Sequence, residues 1–87
     1  MSPRTVTVWY RRGCGPCAAV VRDVVPRLEE EGCEVVLADV ADRPCAARDA
    51  RVDYLPTITA TGGGAPDVRV RGYPGEDAIL ALAGVAG

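Results

Sequence analysis

With 87 residues and a mass of 9.1 kDa the chain fits one domain, residues 1–87, and 48% hydrophobic with 25% charged residues excludes whole-chain disorder. A net charge of −2, from 12 acidic and 10 basic residues, excludes a protein whose main work is binding nucleic acid. Every basic residue is Arg and there is no His, so a Lys Schiff base, a His general base and a His metal ligand are excluded.

Thr5 to Tyr10 is β-branched and aromatic and predicts a strand. Arg11-Arg12-Gly13 breaks it. Cys17, Val20, Val21, Val24, Val25 and Leu28 then recur at helical spacing, which predicts one apolar helix face. Pro26 should kink that helix, and Gly32 stands where a C-cap is expected. Val35 to Val40 is nearly continuous apolar and predicts a strand buried on both faces. A short helix is expected from Asp42 or Arg43, with Pro44, to about Arg51. Thr57 to Thr61 predicts a third strand, Gly62-Gly63-Gly64 a turn, and Val68 to Arg71 a fourth strand. After a loop from Gly72 to Gly75, Glu76-Asp77 opens a last helix, with Ala78, Ile79, Leu82 and Val85 for its buried side. The predicted order is β-α-β-α-β-β-α.

No apolar run approaches the ~20 residues of a membrane span, and Met1-Ser2-Pro3-Arg4 leads directly into a strand without a signal-peptide core. A reducing cytoplasm is the expected setting, with no membrane and no nucleic-acid partner. There, paired cysteines are read as catalytic or metal-binding.

Cys14-Gly15-Pro16-Cys17 follows the first strand and opens the first helix. At a helix N-terminus, unpaired N–H groups and the dipole favour a thiolate at Cys14, the attacking species in disulfide exchange. Cys17, one turn on, lies roughly 5 Å away between Cα atoms, within disulfide range. It also begins the apolar face, so it should be the shielded, resolving thiol. Pro16 suits an early helical position, and Gly15 leaves room for a substrate backbone. The competing readings are two inert buried cysteines or half of a zinc site. Zinc would need Cys33 and Cys45, which do not form a second paired motif. No metal or organic cofactor is expected.

At these residues the sequence resembles the thioredoxin family. Cys14-Gly15-Pro16-Cys17 is similar to its active-site motif, and Leu55-Pro56-Thr57 to its cis-proline loop. Gly72 falls where the family carries a glycine beside the substrate groove. The resemblance covers essentially the whole chain but lacks the family's N-terminal strand and helix. It implies an α/β minimal thioredoxin-like fold, a four-stranded mixed sheet flanked by three helices. It also implies a cis Leu55–Pro56 bond, with the Leu55 backbone free to pair with an extended client strand. Gly13 replaces the Trp before the motif, Val8 the buried acid that assists the resolving thiol, and Leu37 that acid's Lys partner. Val8 to Cys14 looks more like a glutaredoxin entry, and Glu76-Asp77 resembles the acidic glutathione contact of glutaredoxins.

The resemblance implies a monomeric thiol–disulfide oxidoreductase and electron carrier, acting on disulfide-bearing client proteins. Thioredoxin reductase or a glutathione system would restore its dithiol. The alternatives are a glutaredoxin-type or ribonucleotide-reductase-type redoxin, and a non-catalytic binding module of the same fold. Arg11 and Arg12 have two readings: solvated loop charges, or groups that stabilise the Cys14 thiolate or attract an acidic client or a glutathione carboxylate. Asp39 reads as a solvated strand-end acid, with a proton relay as its functional alternative. Trp9 and Tyr10 are expected in core or groove packing. Cys33 and Cys45 fall about 20 Å apart, at opposite ends of a strand, and are expected as buried free thiols.

Overall fold

A computed structural model describes residues 3–84 of the chain. Four strands, β1 (Arg4–Tyr10), β2 (Glu34–Asp39), β3 (Thr57–Gly62) and β4 (Val68–Arg71), form one sheet in the order β2-β1-β3-β4. β1 runs parallel to β2 and antiparallel to β3, and β3 pairs antiparallel with β4. The parallel pair requires a long crossover, which the segment between Tyr10 and Glu34 supplies as helix. The β3–β4 pair needs only a turn, and Gly62, Gly63 and Gly64 all take positive φ there.

The crossover is two helices, α1 (Gly15–Asp23) and α2 (Val25–Glu30), where the sequence predicts one kinked helix. Pro26 cannot donate to the Arg22 carbonyl one turn back, and its ring crowds that carbonyl. The chain steps at Val24, whose N–H still reaches Val20 while its carbonyl accepts from Leu28. The apolar face survives the step: Val20, Val24 and Leu28 are fully buried and Val25 nearly so. α2 ends on Gly32 at φ +85, with Cys33 N–H donating to Leu28 and Gly32 N–H to Glu29, a Schellman closure. α3 (Pro44–Asp49) begins on its proline. α4 (Glu76–Leu82) carries both acids in its first turn. Its buried side is Ile79 and Leu80, followed by Ala83, while Ala78 is half-buried. Val85, predicted for that side, lies outside the described residues.

Alternation along the strands divides the core between two faces. Val6 and Val8 of β1 and Ile58 and Ala60 of β3 pack with α1, α2 and α4. Trp9 and Ala38 pack on the other side with Ala47 of α3. β2 departs from the expectation of burial on both faces: Val35 and Val36 are half-buried and Leu37 is 43% exposed. It lies at the edge of the sheet, and only its last two residues, Ala38 and Asp39, are buried. At the far end of the sheet, the buried Arg4 guanidinium donates to the carbonyls of Gly62 and Pro66 at 2.6 and 2.5 Å, tying β1 to the glycine turn.

Candidate active site

After β1 the chain turns through Arg11 to Cys14, with Cys14 N–H donating to Arg11 O. Gly13 makes that turn at φ +83, and no atom lies within 4 Å of where its Cβ would be. Cys14 is the extended N-cap of α1, and its carbonyl accepts from Ala18. Its Sγ accepts the Cys17 N–H at 3.2 Å. Cys14 and Cys17 form a disulfide with Cα atoms 5.2 Å apart. Cys14 is half-buried and Cys17 only 1% exposed. The sequence predicts this asymmetry, one accessible sulfur and one shielded. Once the pair is reduced, the helix terminus and the Cys17 N–H favour negative charge on the Cys14 sulfur.

Across from this turn, the Leu55–Pro56 peptide is cis. Gly72 N–H donates to Pro56 O at 2.6 Å, which joins the loop after β4 to the loop before β3. Gly15 and Pro16 of the motif, with Leu55, Pro56 and Gly72, line a groove of about 490 Å³. These residues are far apart in sequence, and the fold brings them together. The Leu55 N–H and C=O have no backbone partner among the described residues, so both are available to an extended strand. Thr57, fully buried like Pro56, does not line the groove, and its hydroxyl donates to Tyr54 O at 2.5 Å. It positions the loop from behind.

Sequence reasoning missed three groove residues, Ala19, Tyr54 and Tyr73. Tyr54 is 55% exposed, with the Arg71 guanidinium 5.5 Å from its ring and Arg71 bonded in turn to Asp53. The available signal was an aromatic residue directly before Leu-Pro.

A second hollow, of about 310 Å³, opens beside the sulfurs and shares no lining residue with the groove. Its walls include Cys14, Cys17, Arg11, Arg12 and the half-buried Tyr10. Arg12 approaches Asp39 Oδ2 at 3.9 Å. Asp39 is not the solvated strand-end acid that the sequence suggested. It is 6% exposed, accepts the Ala41 N–H at 2.8 Å, and its carbonyl accepts from Asp42 and Arg43. The turn from β2 into α3 is wound around it, which is why it is buried.

Cys33 and Cys45 are free thiols. Cys33 is half-buried, and burial pushes its thiol above the ordinary range, with Glu31 adding to the shift. Cys45 is exposed, against the expectation of burial, because it occupies the outer side of a six-residue helix. Val8, fully buried, takes the place expected of an acid. Glu76 is engaged by Arg27 at 3.0 Å, a tie between α4 and α2.

No family model matches the chain. The thioredoxin of Mycolicibacterium smegmatis is 35% identical to it over 77% of this chain and 63% of that protein. The chain therefore spans slightly less than two thirds of that relative. Chloroplastic thioredoxin z superposes with a TM-score of 0.82 at 27% identity, over 94% of this chain and 76% of the other. A mutant thioredoxin from Halobacterium salinarum gives 0.83 at 26%, over 94% and 73%. Structural agreement over 94% of the chain joins a sequence match to a named thioredoxin: the chain has the thioredoxin-like fold and is similar to thioredoxins in sequence.

Proposed function

We propose that the protein is a thiol–disulfide oxidoreductase that reduces disulfides in client proteins. The observation that carries this reading is the Cys14–Cys17 pair at the start of α1, one sulfur accessible and one shielded, with Gly15 and Pro16 between them lining a groove in which the Leu55 N–H and C=O have no backbone partner among the described residues. In the reduced protein the Cys14 thiolate attacks one client sulfur. The client S–S bond breaks, a Cys14–client mixed disulfide forms, and the released client thiolate takes a proton. Cys17, as thiolate, then attacks Cys14 Sγ. This releases the second client thiol and leaves the Cys14–Cys17 disulfide, so two electrons pass from protein to client. A reductase returns two electrons to the pair. Free thiols at Cys33 and Cys45 are in keeping with a reducing, cytoplasmic setting.

Insulin reduction tests the reading, with NADPH and thioredoxin reductase as one electron source and glutathione with its reductase as the other. Turnover with the first is expected. Cys14→Ser should abolish both turnover and mixed-disulfide formation. Cys17→Ser should still capture clients but be unable to release them. Absence of insulin reduction by dithiothreitol-reduced wild type, or faster alkylation of Cys17 than of Cys14, would refute it.

A further inference from the structure

We propose that Arg11 and Arg12 make the protein selective for clients that carry an acidic residue beside the disulfide cysteine. The inference rests on the oxidoreductase reading and names the substrate class of that same site. The hollow beside Cys14 is lined by the apolar surfaces of Tyr10, Ala18 and Val21 together with arginines. Three arginines reach it, and they are not equivalent. Arg22 is neutralised by two hydrogen bonds to Asp23, at 2.8 and 2.9 Å, and that contact holds the Asp23 carboxyl below its usual range. Arg12 meets Asp39 only at 3.9 Å and its side chain is 91% exposed. Asp39 already spends its other carboxylate oxygen on the Ala41 N–H. Arg11 is exposed and has no ion-pair partner among the described residues. Asp42 shares an adjoining hollow with both arginines but forms no ion pair with either.

The result is an island of positive charge next to Cys14, on a chain whose net charge is −2. Gly13 leaves that approach open, since it carries no side chain and nothing crowds its Cβ position. A client seated with its cysteine sulfur at Cys14 therefore presents its neighbouring residue to two guanidinium groups. Guanidinium matches carboxylate geometry through paired N–H donors, and the apolar surfaces accept the methylene stem of a Glu. A Lys in the same position meets like charge. Rim charges of this kind act mainly on association rate and weaken with salt.

Three disulfide-linked peptides that differ only in Glu, Gln or Lys beside the cysteine test the proposal, with kcat/KM measured for each. At low salt, Glu is expected to exceed Lys by about fivefold, with Gln between, and the ratio should approach one in about 0.5 M salt. Arg11→Glu with Arg12→Glu should abolish or invert the ratio, and the double Lys variant should retain it. The ratio within one variant cancels any change in the reactivity of Cys14. The salt series on wild type stands even if the charge-reversed variant fails to fold. Equal rates for the three peptides would overturn the selectivity and leave the oxidoreductase reading intact. A preference that survives charge reversal would overturn its assignment to these arginines. Failure to reduce any peptide or insulin would overturn both.

Discussion

Val8 lies in register between Leu37 of β2 and Ile58 of β3, fully buried, with no charge of its own to offer Cys17. Introducing a carboxyl there places an ionisable group in an apolar environment without a partner. Val8→Asp is expected to destabilise the fold by at least ~2 kcal/mol and to alter the pH profile of mixed-disulfide resolution. Urea unfolding and stopped-flow resolution kinetics check the two effects. The two free thiols differ for a related reason. Burial disfavours the Cys33 thiolate, whereas Cys45 is open to solvent. Iodoacetamide at neutral pH should label Cys45 well before Cys33, which mass spectrometry resolves. The Cys33 shift also has a sign in stability. An unfolded Cys33 ionises near its ordinary value of 9.0 and the folded one only above it. Stability is therefore unaffected below that range and falls as pH rises through it, because the unfolded state releases its proton first. Cys33→Ala should flatten that part of the profile.

At the scale of elements, α2 and α3 end by the same device with different residues. Gly32 closes α2 at φ +85. After α3, Arg51 N–H donates to Arg48 and Val52 N–H to Ala47, the same pair of bonds, with Arg51 at φ +56. A side chain in this left-handed region crowds its own backbone at a cost of roughly 1–2 kcal/mol, which glycine avoids while losing more entropy on folding. The Arg69 guanidinium holds the end of α3 by donating to the carbonyls of Ala50 and Arg51, which are backbone groups and survive a change at position 51. Arg51→Gly is therefore expected to stabilise the protein by about 0.5–1 kcal/mol, read as a higher denaturation midpoint at unchanged m-value. An unchanged or lower midpoint would show that Arg51 makes a compensating contact.

At the scale of the molecule, stability is unevenly distributed across the sheet. Leu28 is fully buried where α2 packs on the sheet, while Leu37 is nearly half exposed on the edge strand. Leu28→Ala should cost about 2–5 kcal/mol through lost burial and a residual cavity. Leu37→Lys should stay within about 0.5 kcal/mol of wild type, since its stem can lie on the sheet while its charge reaches water. Paired urea titrations separate the two. A large loss at Leu37 would mean that the edge of the sheet is covered in solution.

Much of this was legible in the sequence, because the signals were local. Strand and helix order followed from periods of two and 3.6, and the turns from glycine and proline. The reactive pair was legible because Cys14 and Cys17 sit one helical turn apart at a helix start, so that their proximity needs no tertiary contact. The break at Val24 was only half legible: Pro26 announced a disruption, but whether it bends or divides a helix depends on what the flanking turns pack against. Three matters needed the fold. Val35-Val36-Leu37 has the composition of a central strand, and only the sheet order places it at an edge. Asp39 reads as a surface acid until the β2–α3 turn closes over it. Tyr54, Gly72 and Pro16 form one groove only because β3, β4 and α1 meet there. Each of these is a relation between segments distant in sequence, and no local pattern encodes which neighbour a side chain will find.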